Sequence, residues 1–478
     1  MTAAQGFVER NARSLLWATI ALFALPHLVR LVQPPNGYHA WRESDTAAVI
    51  LNYYQEDMNP LHPRINQRGA SSGITGMEFP LYNYLAAIGY KVIGPSHAVP
   101  KGITLLAAIL GILVWYRVVR DLSSGSTAVF ACWALAFSPL FCFYSFKIMP
   151  DILMLALWLG AIRAYQAYDA NESLSSWGLS LALLTLSAGI KPLTLSIYLP
   201  LLVLELHRSR RSNARLLRLA GYVAVSFGAV IAWFAFARWI NQTYQTPGFY
   251  LGENVFNFPQ FLFTGQFVKK LFLQWPFELW IGWALLPAFV LGIVPLLRRR
   301  LGALWLVWLL STYIVFAITA QHAASHDYYS LLVVPVLSMA VGLGLDYLIG
   351  RGRSFAVIAA AILLAAPVVA HVRVGHRFDS GDRFQTTRQD VDRLIARDDL
   401  VAVEDPTTAV RLYRLNRHGW PLRNKIDSAT VAPLIDQGLD WLLVEHPVEQ
   451  YDSALTRLIV RRPDSIGPLL AYRIRQSD

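Results

Sequence analysis

Cysteine is nearly absent. The 478 residues contain two, Cys132 and Cys142. Both lie in one apolar run, about ten residues or ~15 Å apart along a helix. That is too far for a disulfide within the helix, and two thiols say little about the redox compartment. Charge is also scarce: 15% of residues are Asp, Glu, Lys or Arg, against about 25% in an average soluble chain. There is no G-x-x-x-x-G-K-[ST], which argues against an ATP-driven pump, and no H-E-x-x-H or dinucleotide-binding glycine fingerprint. Arg10 and Arg13 precede the first apolar run, and no A-x-A cleavage site follows it. A retained signal-anchor span is expected rather than a cleaved leader. Internal repeats of solenoid period and low-complexity tracts are missing as well.

What is abundant is apolar sequence: 55% of residues are hydrophobic and the mean hydropathy is +0.39. Runs of ~17–25 residues with almost no charge recur, the pattern of a multi-pass α-helical membrane protein. Candidate spans are Ser14–Leu31, Ile103–Val119, Ser126–Phe143, Ile152–Tyr168, Trp177–Ile190, Leu193–Leu206, Leu219–Ile240, Leu279–Leu297, Leu301–Thr319, Tyr329–Ile349 and Phe355–Ala370. That makes about eleven. The net charge of +11 is mostly arginine and is better explained by cytoplasmic loop anchors than by nucleic acid. Arg117 and Arg120, then Arg208, Arg210, Arg211, Arg215 and Arg218, then Arg298, Arg299 and Arg300, then Arg351 and Arg353 all fall on the side of the N-terminus. The positive-inside rule makes that side cytoplasmic. The loops Gly37–Pro100, Phe143–Pro150, Asn241–Glu278 and Ala320–Asp327 then face outward, as does the C-terminus. The membrane concerned is the plasma (inner) membrane.

Residues 1–371 form the expected membrane module, with a first outer loop at 34–100, and 372–478 a small extracytoplasmic α/β domain. In that tail LVAVEDP, LDWLLVEH and LLAYRIR read as strands. Thr46–Glu56 reads as a surface helix, and Phe79–Gly94, opened by Pro80 and closed by Gly94-Pro95, as an interfacial or re-entrant one.

The outer loops hold the chemistry. In Trp41-Arg42-Glu43-Ser44-Asp45 a carboxylate beside an arginine suits a general base or a metal ligand. The plainer reading is that Ser44 or Asp45 caps the helix starting at Thr46, and the two roles are compatible. Glu78 precedes the tyrosine-rich Pro80–Tyr84 stretch; alternatively it is a solvated end residue beside an aromatic belt. Lys147 and Asp151 bracket the mouth of a span. Lys191, before Pro192, either snorkels or meets an anionic headgroup. His322, His326, Asp327, Tyr328 and Tyr329 share a short loop, fit no tight zinc pattern, and suit orientation of a phosphate or sugar better. Nucleotides are scarce at the outer face, so a lipid-linked group donor fits this geometry.

The runs HAWRESDTAAVILNYYQ, NPLHPRINQRG and GMEFPLYNYL, then FSPLFCFYSFKIMPDILMLAL and AGIKPLTL, resemble glycosyltransferase family 39. These are the dolichyl-phosphate-mannose protein mannosyltransferase and aminoarabinose transferase-like enzymes of the GT-C superfamily. The likeness is good over roughly the first 200 residues and weak over the later spans; His326–Tyr329 is similar to a late-loop HxYY pattern. The resemblance implies a GT-C-like membrane glycosyltransferase that takes a sugar from a polyprenyl phosphate, inverts the anomeric centre, and passes it to a protein, lipid or glycan. By position Asp45, with Glu43 beside it, matches the catalytic acid of the first loop. Glu78 matches the acid before the Pro-aromatic helix, and Asp151 the acid at a later span. Two departures stand out: Ser44-Asp45 replaces the usual Asp-Glu, and Phe79 stands where several aminoarabinose-type members have Lys. Lys147, Lys191 and Arg64 are the substitute phosphate contacts, with Arg42, Tyr82, His326 and Tyr328 as further substrate contacts. A divalent metal at Glu78 or His326 stays an open reading. The competing classes are a polyprenyl-lipid flippase and a non-catalytic assembly protein for a surface glycan. A flippase is expected to show inverted repeats, which the sequence lacks.

Overall fold

The computed structural model describes residues 2–207, 213–246, 258–298, 302–378, 388–407, 410–423 and 425–475. The expected cytoplasmic arginines at 208, 210, 211, 299 and 300 lie outside them. The chain divides into two compact units: Met1–Val32, Lys101–Trp233 and Gly252–His376 form the first, and Gln33–Pro100, Phe234–Leu251 and Arg377–Asp478 the second.

The first unit is helical. Among the described residues of the whole chain, five helices are long and apolar enough to cross a membrane: Ala12–Arg30, Ala98–Leu122, Asn213–Tyr244, Asp327–Ile349 and Arg353–Gly375. A sixth arises if Gly265–Trp280 and Trp283–Leu297, which meet at 90°, make one span. Shorter apolar helices cover Gly125–Ala136, Leu174–Ile190, Pro192–Leu206 and Gly302–Ile318, and a further helix runs from Asp151 to Asn171. Every expected run is therefore helical, but several are short or broken. Ser126–Phe143 is two helices, because Ser138 caps a new one through Phe141 N–H and Pro139 occupies its first turn. Leu279–Leu297 is bent at Gly282, whose φ of +76° suits glycine. Lys191 closes Leu174–Ile190 in an extended conformation, as a residue before proline prefers. Helix Leu286–Leu297 packs on Val333–Ile349 through glycine: a Cβ at Gly292 would lie 1.8 Å from the Ala340 carbonyl oxygen, and one at Gly344 1.8 Å from that of Ala288. Small residues allow this close approach without a hydrophobic drive between helices in lipid.

In the second unit, helices α1 (Ala40–Gln55) and α2 (Leu81–Ile93) pack on each other, and α3 (Arg388–Leu394) and α4 (Val410–Leu415) flank a five-stranded sheet. Its strands are β1 (Leu400–Glu404), β2 (His418–Leu422), β3 (Leu439–Val444), β4 (Asp464–Ile466) and β5 (Leu469–Arg473), in the order β2-β1-β3-β5-β4. β1 is parallel to β2 and β3, and β5 antiparallel to β3 and β4. Alternation gives two cores: Val401, Val403, Trp441 and Leu443 on one face, and Ala402, Leu442, Val444 and Tyr472 on the other. The three expected strands are present; β2 and β4 were not anticipated. The 33–100 segment is tied to β2 by backbone bonds between Gly69 and Gly419 (3.0 Å) and between Gly419 and Asn66 (3.1 Å).

Candidate functional site

Helix α1 begins five residues before Asp45. Its N-cap is His39, in the left-handed region at φ +61°, with no side-chain cap bond. The expectation that Ser44 or Asp45 caps a helix starting at Thr46 is therefore wrong: both sit inside α1 and both are buried. Ala47, Val49, Ile50 and Tyr53 on the same helix are buried too.

The consequence is geometric. Residues three apart share a helix face, so Arg42 lies over Asp45, with Nη1 donating to Oδ2 at 3.3 Å. Its other nitrogen, Nη2, ion-pairs with Glu78. One guanidinium thus gathers the two carboxylates. Asp45 is 9% exposed, Arg42 11% and Glu78 17%, so Glu78 is not the solvated end residue of the plainer reading. Burial pushes the Asp45 carboxyl above its ordinary value, and the charge and hydrogen bond of Arg42 pull it back in part.

The backbone around this pair is fixed by three contacts. Asn83 Nδ2 donates to the Thr46 carbonyl at 3.1 Å, joining α2 to α1. Asn241 Oδ1 accepts from Gly76 N–H at 2.7 Å. Gly76 itself has no room for a side chain, since a Cβ would fall 1.8 Å from the Ala237 carbonyl oxygen.

Other expected members lie elsewhere. Glu43, one residue round the helix from Arg42, is buried where its charge acts on the Tyr413 hydroxyl of α4. Tyr82 is fully buried, its hydroxyl donating to the Pro100 carbonyl at 2.9 Å, and serves as a strut. Arg64 pairs with Glu56 at 3.1 Å and Asp57 at 3.8 Å, beyond the far end of α1. From Asp45 to Glu56 is eleven residues, ~16 Å along the axis, which takes Arg64 out of the Arg42 cluster.

The first unit holds a second cluster. Asp151 opens helix Asp151–Asn171 and is fully buried. It ion-pairs with Lys191 through Oδ1, while its Oδ2 has no hydrogen-bond partner among the described residues. The Lys191 ammonium lies 4.0 Å from the Tyr328 ring centroid and 4.6 Å from that of Tyr329, a cation–π cage. His326 stacks on Tyr328 at 5.3 Å. Tyr144 donates its hydroxyl to Asp327, and its ring meets Tyr328 at 5.8 Å. Lys147 is buried with its ammonium 4.9 Å from the Phe143 ring centroid. Sequence reasoning grouped Asp327 with its loop neighbours but missed Tyr144, which sits in an ordinary aromatic run; only the fold brings it to Asp327.

Among the described residues no three of His, Cys, Asp or Glu gather to hold an ion. Glu78 is engaged by Arg42, and His326 lies in an aromatic stack with Tyr328.

Residues 77–239 match the model of the dolichyl-phosphate-mannose-protein mannosyltransferase family. No curated protein matches the chain. Solved structures match almost all of it. ArnT from Cupriavidus metallidurans, crystallised with undecaprenyl phosphate, is 14% identical at a TM-score of 0.59, over 95% of this chain and 97% of that one. The apo oligosaccharyltransferase of Archaeoglobus fulgidus is 11% identical at 0.59, over 91% of this chain and 70% of that one. The arabinofuranosyltransferase AftD from Mycobacteria is 13% identical at 0.62, over 98% of this chain but only 40% of AftD. The resemblance read from the loop motifs is borne out to this extent: residues 77–239 match that family model, and the chain shares the fold of these three solved glycosyltransferase structures.

Proposed function

We propose that this protein is a multi-pass membrane glycosyltransferase that moves a sugar from a polyprenyl phosphate to an acceptor hydroxyl at the outer face, with inversion. The observation that carries the reading is the Arg42 bridge between Asp45 and Glu78, in a segment that begins where the first candidate span ends. A sugar phosphate already has a good leaving group. What remains is to take a proton from the acceptor and to stabilise charge on the departing phosphate. Asp45 is assigned as general base: burial raises its proton affinity, which suits that task. The acceptor oxygen attacks the anomeric carbon from the face opposite the phosphate. Its proton passes to Asp45, the carbon–oxygen bond to phosphate breaks, and polyprenyl phosphate leaves with the electron pair. Glu78 is assigned to orienting the sugar. Lys191 and Lys147 are assigned to phosphate, because charge-assisted contacts to phosphate are the strong ones; Arg42 is a third cation, held on the carboxylates. In this reading the N-terminus is cytoplasmic and the C-terminal sheet extracytoplasmic.

The test is turnover of a labelled polyprenyl-phosphate sugar by the purified protein in lipid nanodiscs. Slow release of sugar to water without acceptor supports the enzyme. Movement of intact donor across the bilayer with no bond cleavage overturns it in favour of a flippase.

A further inference from the structure

The second unit contains a cavity of about 260 Å³ that the proposed chemistry does not use. Arg388 of α3, Tyr413 and Arg414 of α4, and Ser96 and His97 after α2 line it. Among the described residues no carboxylate does, so the wall carries two full positive charges and no negative one.

The groups are fixed. His97 Nε2 and the Tyr413 hydroxyl are 2.9 Å apart. The Arg388 guanidinium lies 6.0 Å from the Tyr413 ring centroid, and Arg414 Nη2 donates to the Pro35 carbonyl at 2.7 Å. Tyr413 is 2% exposed, and burial pushes its hydroxyl up to about 12, so it stays a protonated donor at neutral pH. Pro34, Leu51, Tyr90 and Pro95 complete the wall.

The volume is below the usual ~300–1,000 Å³ of drug-sized ligand pockets, which suits one sugar-sized or headgroup-sized unit rather than a long chain. The position adds a second indication. Tyr90 belongs to α2, whose Leu85, Ile88, Val92 and Ile93 form one exposed apolar face at helical spacing. A helix with such a face lies in the membrane interface.

We infer that this cavity is a binding site for a phosphate-bearing group of headgroup size, with Arg388 and Arg414 as its cations and Ser96, His97 and Tyr413 as its hydrogen-bonding rim. The phosphate belongs to an anionic lipid headgroup or to a soluble sugar phosphate; both present the same chemistry to the two guanidinium groups.

The experiment uses the full chain in nanodiscs of neutral lipid, titrated in one arm with phosphatidylglycerol and in the other with hexose phosphate. Binding is read by native mass spectrometry and by thermal shift. Arg388→Gln is expected to weaken binding about tenfold or more, since hydrogen bonds to charged groups are the costly ones to lose. Ser96→Glu, which places a negative charge in the cavity, should do the same. Arg393→Gln, on α3 with a side chain 79% exposed, serves as the charge-matched control and should bind normally. A loss in the lipid arm alone assigns the headgroup; a loss in the sugar phosphate arm assigns the soluble ligand. Equal binding by wild type, Arg388→Gln and Ser96→Glu, or an equal loss in Arg393→Gln, overturns the site.

Discussion

Replacing Asp45 by asparagine separates proton transfer from everything else that residue does. The carboxylate touches Arg42 at 3.3 Å, and both side chains are about a tenth exposed (9% and 11%). The asparagine carbonyl oxygen can still accept from the guanidinium, so what is lost is charge assistance, about 1 kcal/mol. Against this stands relief of burial, the largest influence on Asp45. The two nearly cancel, and Arg42 keeps Glu78. The variant should therefore unfold within about 1 kcal/mol of wild type. Its amide cannot take the acceptor proton, and general-base assistance is worth about 10²–10⁴ in rate. Turnover of labelled polyprenyl-phosphate sugar should fall by that factor, while donor affinity, measured by competition with unlabelled lipid, stays the same. A folded Asp45→Asn protein with near-normal turnover would refute the assignment. A parallel fall in donor affinity would make Asp45 a donor contact instead of a base.

Four further outcomes are expected. Asp45 works as base only when ionised and its proton affinity is raised, so transfer should decline as pH falls through a point above the ordinary aspartate value of about 3.9; a rate flat down to that value contradicts the role. Lys191→Met leaves the fully buried Asp151 without its ion-pair partner, so thermal unfolding in detergent should show a loss of about 3–5 kcal/mol, much of it restored by adding Asp151→Asn. Gly76→Ala drives a methyl into the Ala237 carbonyl and should lower the melting temperature, whereas Gly102→Ala, where a Cβ meets nothing within 4 Å, should not. His418 is held down at about 3 by burial, with Arg68 and Arg417 adding to the effect. The unfolded chain therefore binds a proton near pH 6.5 that the folded chain refuses, and stability should be full above 6.5 and decline as pH falls toward 3; His418→Gln should flatten that slope in pH-dependent melts.

The helical, membrane-type architecture was legible because apolar runs report burial or lipid directly. The loop of interest was legible because Arg42, Asp45 and Glu78 are charges placed beside apolar spans. The start of α1 was not: the preference of Ser and Asp for caps pointed to Thr46, but the left-handed backbone at His39 opens the helix earlier and turns Asp45 onto the face of Arg42. Strand β2, His-Gly-Trp-Pro-Leu, has poor strand propensity and forms because β1 and the 66–69 segment supply its partners. The pairing of Asp151 with Lys191 spans forty residues, and no local pattern announces it. Arg64 was expected as a substitute phosphate contact because Phe79 stands where related sequences have Lys, and the nearby acids Glu56 and Asp57 pair with it instead.

The central claim concerns where the sugar sits when bound. Electron cryomicroscopy of the Asp45→Asn protein, stalled with a polyprenyl-phosphate sugar, measures this. The account predicts the anomeric carbon facing residue 45, within reach of one acceptor hydroxyl or water, with Glu78 on the sugar's hydroxyl groups. A sugar held away from the Arg42 bridge would contradict it.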